Sequence, residues 1–165
     1  MLKIVKIPEA RKAILIGTNG ETKRLVEKKT KTRITVGEEV SINGDAINVI
    51  TAENVVKAIS RGFSPDKALI LCNEEYALGV MTISNDKKEL KRIKSRLIGS
   101  SGKVRHDTEL ITETAISIYG KTVSVIGRHA DVEIACTTIE KLINGAPHKI
   151  VYKYLKGKKG DDSDK

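Results

Sequence analysis

The sequence predicts an α+β chain built from two tandem copies of one β-α-α-β-β-α unit, each a three-stranded sheet packed against helices. Three observations predict it: an internal repeat, two glycine-bounded breaks between helical stretches, and apolar residues that switch between alternating and helical spacing. Leu15-Ile16-Gly17-Thr18-Asn19-Gly20 recurs as Leu97-Ile98-Gly99-Ser100-Ser101-Gly102, a shift of 82 positions. The same shift carries Thr30 onto Thr112, Thr32 onto Thr114, and Ile34/Val36 onto Ile116/Ile118. One inserted residue later the shift is 83, and it brings Val40-Ser41-Ile42-Asn43-Gly44 onto Val123-Ser124-Val125-Ile126-Gly127 and Gly62 onto Gly145.

The elements follow in order. Leu2 to Ile7 alternates as a short strand, and Pro8 suits the first turn of a helix that runs to about Ile16. Gly17 to Gly20 breaks the chain, and Glu21 to Lys31 resumes as a helix expected to bury Leu25 and Val26. Arg33 to Val36 and Val40 to Asn43 alternate as paired half-buried strands. Val49, Ala52, Val55, Val56 and Ile59 then recur at helical spacing, and Gly62 supplies a stop. The second copy repeats this with a strand near Leu78 to Ser84, a basic helix from Lys87 to Ile98 and the break at Gly99 to Gly102. A helix from Lys103 to Glu113, strands at Ala115 to Tyr119 and Thr122 to Ile126, and a helix from His129 to Ile143 complete it. Pro65 to Leu71 and Pro147 to Leu155 each add a short helix after a unit. The expected domains are therefore 1–76 and 77–156, with 157–165 (GKKGDDSDK) a polar, disordered tail.

Composition narrows the function. With 30 Lys+Arg against 21 Asp+Glu the chain carries a net charge of +9, and 39% hydrophobic residues suffice for a core. Four Tyr, one Phe and no Trp make base-stacking aromatic platforms hard to build. No stretch approaches a membrane span, and MLKIVKIPEARK lacks the apolar run and cleavage site of a signal peptide, so the expected location is the cytoplasm. Cys72 and Cys136 stand alone, without CxxC spacing or clustered His, and are read as reduced, mostly buried thiols rather than metal ligands.

A helix, a Gly-x-x-Gly loop and a second helix beside a three-stranded sheet is the arrangement of the KH domain, in its type I order. The glycines permit φ > 0, so that backbone N–H groups and the positive end of the following helix can face a phosphate. A narrow apolar groove beside the loop then holds about four unstacked nucleotides without aromatic platforms. Residues 1–76 hold 13 basic and 10 acidic residues, and 77–156 hold 14 and 8, so the second copy carries most of the excess. Within Lys87 to His106, eight Lys/Arg face a single acid, Glu89, and they flank the second loop on both sides. In the first copy Gly20 is followed by Glu21, which competes with a phosphate at the helix start. The candidate RNA-binding set is Gly99, Ser100, Ser101, Gly102, Lys103 and Arg105 with Arg96 and Ile98, and, as a weaker loop, Gly17, Thr18, Asn19, Gly20, Lys23 and Arg24.

RGFSPDKALIL (61–71), YGKTVSVIG (119–127) and NGAPHKIVYKYL (144–155), set around these units, resemble the archaeal members of the partner-of-Nob family of small-subunit ribosome-biogenesis factors. The resemblance covers about residues 2 to 156. It implies a non-enzymatic protein, without cofactor, that binds the 3′ region of small-subunit rRNA and assists its maturation. It also implies two partners, the Nob endonuclease and the dimethyladenosine transferase. Gly99 to Gly102 with Lys103 and Arg105 match the family's RNA-contacting motif. Eukaryotic members lack a regular Gly-x-x-Gly in the first domain, whereas this chain has Gly17-Thr18-Asn19-Gly20.

Other chemistries fit less well. Gly120-Lys121-Thr122 resembles the end of a phosphate-binding P-loop, but position 115 is Ala and the pattern after Thr122 predicts a strand, not a helix. His106, His129 and His148 have no nearby Ser or Cys in a nucleophile setting. The alternative function class is a protein adaptor whose basic surface meets RNA only nonspecifically.

Overall fold

The computed structural model describes residues 1–163, with side chains as far as residue 158. The chain divides into two compact units, Met1–Tyr76 and a second that begins at Ala77.

In the first unit, β1 (Leu2–Val5), α1 (Glu9–Ile16), α2 (Glu21–Thr30), β2 (Arg33–Val36), β3 (Val40–Asn43) and α3 (Ala46–Ser60) give the expected order, followed by α4 (Pro65–Ala68) and a 3₁₀ turn over Leu69–Cys72. The sheet is antiparallel with β3 in the centre, Val5 facing Val40 and Val36 facing the same residue from the other side. The second unit runs β4 (Tyr76–Thr82), α5 (Lys87–Ile98), α6 (Lys103–Thr112), β5 (Ala115–Tyr119), β6 (Thr122–Arg128), α7 (His129–Ile143) and α8 (His148–Ser163), with β6 central. Ile34 opposes Ile42 in one sheet and Ile116 opposes Val125 in the other. The residue that changes the repeat shift from 82 to 83 therefore falls at the hairpin tip, where Tyr119 and Thr122 close a two-residue turn.

Each core lies between sheet and helices. Val49, Ala52, Val55, Val56 and Ile59 of α3 are fully buried, and Ile93, Leu97, Val104, Ile116, Val125, Ala135, Ile139 and Leu142 form the corresponding cluster in the second unit. Leu25, expected inside, is 41% exposed. The inward seam of α2 is Val26 and Thr30, one i,i+4 step, and a residue one position away from it is rotated about 100° to the outside.

The recurrence of this spacing in both units has a hydrogen-bonding cause. Glu27 accepts from the Ile34 amide at 2.9 Å, and Glu109 accepts from the Ile116 amide at 2.9 Å. Thr30 donates to the Val26 carbonyl and Thr112 to the Thr108 carbonyl, while the Thr30–Thr32 and Thr112–Thr114 hydroxyl pairs close at 2.7 and 2.8 Å. A helix residue thus satisfies the amide of the second residue of the strand that follows it, in both units.

Helix α8 continues from Gly157 to Ser163, where the sequence placed a disordered tail; residues 164 and 165 lie outside the described residues. Val151 and Leu155, each 1% exposed, anchor the helix, and once it is nucleated each further residue adds a hydrogen bond at the cost of ordering only itself. No proline follows Pro147 to stop it.

Removing the Glu109 carboxylate leaves a partly buried strand amide without its acceptor. Glu109→Ala is expected to destabilise the second unit by about 1–3 kcal/mol, with faster hydrogen exchange at the Ile116 amide than at Ile34, measured on the same sample.

Candidate nucleic-acid interface

The two glycine loops have the same backbone. Gly17, Asn19 and Gly20 have φ of 73°, 55° and 76°; Gly99, Ser101 and Gly102 have 77°, 55° and 75°. Three left-handed residues in four require glycine at the ends and a small polar residue between. The leading glycine is also a packing requirement. A Cβ on Gly99 would lie 2.5 Å from Val104 Cγ2 and 2.9 Å from the Val104 amide nitrogen, and one on Gly17 would lie 2.3 Å from Thr22 Oγ1. The trailing glycines differ. Around Gly102 nothing lies within 4 Å of a Cβ position, whereas Arg24 Nη1 folds to within 2.9 Å of that position on Gly20.

Neither α2 nor α6 has a side-chain N-cap, because Gly20 and Gly102 occupy that position. Helix α5, by contrast, is closed by Asp86, which accepts from the Lys88 and Glu89 amides. The positive end of α6 is therefore left for an external acceptor, with open space in front of it. At the first helical position the second unit has Lys103 and the first has Glu21, both exposed. Beside the loops Ile16 and Ile98 are 36% and 38% exposed, apolar surface of the kind that packs on a base or ribose.

The basic residues separate into free and committed ones. Lys103, with its side chain 72% exposed, is 3.0 Å from Asp107, and Arg105 is 4.0 Å from Glu109. Such exposed pairs contribute little to stability and exchange readily for a phosphate. Two predicted residues are held inside their units. Arg96 donates from Nη2 to the Ala146 carbonyl just beyond α7, much as Arg11 donates to the Phe63 carbonyl just beyond α3. Lys23 bonds Glu27 and the Ile34 carbonyl at 3.2 and 3.0 Å. Both guanidinium and ammonium groups can satisfy a carbonyl that a helix end or loop leaves over, and sequence charge does not distinguish that use from a free cation.

A cluster that the sequence did not indicate lies behind the second loop. Tyr152 donates to Asp107 Oδ2 at 2.6 Å, joined there by Lys103. Burial, and then the bond to Asp107, pushes the Tyr152 hydroxyl up to about 12. The bonds from Tyr152 and Lys103 hold the Asp107 carboxyl below the usual carboxylate range. At neutral pH the tyrosine is the donor and the aspartate the acceptor. The matching position in the first unit is Leu25, so comparison of the repeats offered no signal for it.

Cys72 and Cys136 are free and half-buried, and burial pushes both thiols up. Among the described residues no group of three or more His, Cys, Asp or Glu is placed to hold a metal, and no helix is long and apolar enough to cross a membrane. Thr122 begins a strand, not the helix a P-loop needs.

The two glycines should differ on substitution. Gly102→Ala pays only the left-handed φ, about 1–2 kcal/mol, while Gly99→Ala adds an overlap with Val104 and should cost roughly 2–5 kcal/mol; chemical denaturation of the two variants measures the difference.

The model of the eukaryotic-type KH domain (KH-domain type I) matches this chain twice, at residues 8–74 and 78–160. A KH domain-containing protein of Methanocaldococcus jannaschii is 37% identical over 93% of this chain and 72% of its own length. The pre-rRNA-processing protein pno1 of Aspergillus fumigatus is 30% identical over 63% of this chain, which spans 44% of that protein. Among solved structures, the a/eIF2alpha-aDim2p-rRNA complex from Pyrococcus horikoshii OT3 contains a chain that matches with a TM-score of 0.90 and 42% identity, over 98% of this chain and 95% of that one. With one type I KH fold in each unit and this degree of likeness over nearly its whole length, the chain belongs to the Pno1/Dim2 family of KH-domain proteins.

Proposed function

We propose that this protein is a non-enzymatic ribosome-biogenesis factor that binds single-stranded RNA from the 3′ region of small-subunit rRNA and assists its maturation, with the loop of the second unit as the main clamp. The observation that carries this reading is the uncapped N-terminus of α6 behind Gly102, open in front and flanked by Lys103 and Arg105. A phosphate set against the loop gains backbone N–H donors and the helix dipole, and Ile98 offers apolar surface for the adjoining nucleotide.

The first loop has the same backbone but a weaker field. Glu21 stands where Lys103 stands, and Arg24 occupies the approach to Gly20. Its part in RNA binding is accordingly auxiliary. The related proteins support the RNA target: the Aspergillus fumigatus relative is named for pre-rRNA processing, and the Pyrococcus horikoshii relative was solved with rRNA and a/eIF2alpha. By that likeness an a/eIF2alpha-type factor is a partner of this chain. The Nob-type endonuclease and the dimethyladenosine transferase are the further partners that the family resemblance implies.

Ser100 and Ser101 are exposed, and Ser101 sits at φ 55°, a conformation that aspartate tolerates, so Ser100→Asp with Ser101→Asp adds repulsion without unfolding. Fluorescence anisotropy with an oligonucleotide ending like mature small-subunit rRNA should show affinity falling by about tenfold or more. Thr18→Asp with Asn19→Asp should lower it by about threefold or less. Unchanged affinity in the folded loop variant removes this clamp, and equal affinity of the unaltered protein for a scrambled sequence favours the adaptor.

A further inference from the structure

Helix α8 builds a second wall beside the loop of the second unit. Between α6 and α8 lies a cleft of about 550 Å³ that opens at Gly99 and Ser100. Helix α6 lines it with Lys103, Asp107 and Ile111, and α8 with His148, Tyr152 and Lys156. Both sets recur at i, i+4 and i+8, so each is one stripe on one helix face. The stripes are joined where Tyr152 donates to Asp107, and Lys103 Nζ lies 5.9 Å from the centre of the Tyr152 ring. Val151 and Leu155, buried on the neighbouring face of α8, hold that wall in place.

The lining has two characters. Ile111 and the Tyr152 ring are apolar surfaces, while Ser100, Lys156 and His148 are exposed polar groups at the rim. The single acid, Asp107, already has Lys103 and Tyr152 as partners, which leaves Lys156 to set the sign of the rim. A cleft of this size suits one small ligand of nucleotide dimensions. The α6 stripe is not repeated in the first unit, where the positions of Lys103, Asp107 and Ile111 are Glu21, Leu25 and Lys29.

We propose that this cleft is a second nucleotide subsite, which takes one unstacked nucleotide of the strand whose phosphate rests on the Gly99–Gly102 loop. Its base lies against Tyr152 and Ile111, and its phosphate meets Lys156 and Ser100 at the rim. The subsite extends the RNA contact to the α8 side of the loop, away from Ile98, and it rests on the RNA-clamp reading of that loop. It also gives α8 a role that the first unit lacks.

The test uses the full chain, the Lys156→Ala/His148→Ala double variant and the Ser100→Asp/Ser101→Asp variant, with fluorescent single-stranded RNAs of about four and about eight nucleotides. Both α8 residues are exposed, so the first variant keeps its fold. It should bind the longer RNA about three- to tenfold more weakly, with a salt slope lower by about 0.7, and the shorter RNA as before. Unchanged binding of the longer RNA, while the loop variant weakens on both, overturns the subsite and leaves the clamp standing. Equal weakening on both lengths also overturns it, since the effect is then general charge. If the loop variant binds both RNAs like the unaltered protein, the clamp reading fails and takes the subsite with it.

Discussion

The close approach of Gly99 to Val104, and of Gly17 to Thr22, is the constraint on which the candidate site depends. A residue with a side chain at either glycine would collide with the first turn of the next helix. Because the backbone passes so near, the chain reverses in four residues, three of them left-handed. The reversal puts glycine at the N-cap, and glycine has no side chain to close the helix end. An open, electropositive helix terminus is thus a by-product of the turn itself, available for a phosphate before any lysine is considered.

What the rest of each unit does is hold that turn still. Glu27 and Glu109 tie the second helix to the following strand, the Thr30–Thr32 and Thr112–Thr114 pairs fix the corner, and Arg11 and Arg96 bind carbonyls beyond the third helix. The glutamate and threonine ties from helix to strand are duplicated, but the surface upon them is not. Glu21 against Lys103 and Leu25 against Asp107 are changes on the exposed side of one helix, and they alter the charge and partners of the loop without touching the core. Duplication of the frame with divergence of the surface is the physical basis on which we propose one strong and one weak loop.

Much of this was legible in the sequence because repeats and glycines report backbone geometry. The 82-residue shift marked the loops, the threonine corners and the strand partners, and helical spacing found the buried seam of α3. The same shift also pairs Glu27 with Glu109, so the repeat itself carries a signal for these acceptors. What remained hidden depends on where long side chains end. Arg96 and Lys23 read as surface charge, yet each reaches a backbone carbonyl that only the folded chain brings near. Leu25 reads as core until the seam of α2 is known to be a single i,i+4 step. The Tyr152–Asp107 bond joins residues 45 positions apart, and the first unit has Leu25 where Asp107 stands, so neither periodicity nor self-comparison could find it.

The most direct measurement is a titration of the isotopically labelled chain with a single-stranded oligonucleotide carrying the 3′ sequence of small-subunit rRNA, followed by amide NMR. The account predicts that the largest shifts fall on Ser100 to Val104, with smaller ones on Thr18 to Thr22 that appear only at higher RNA concentration. Shifts that leave the start of α6 unmoved, or that favour the first loop, would contradict it.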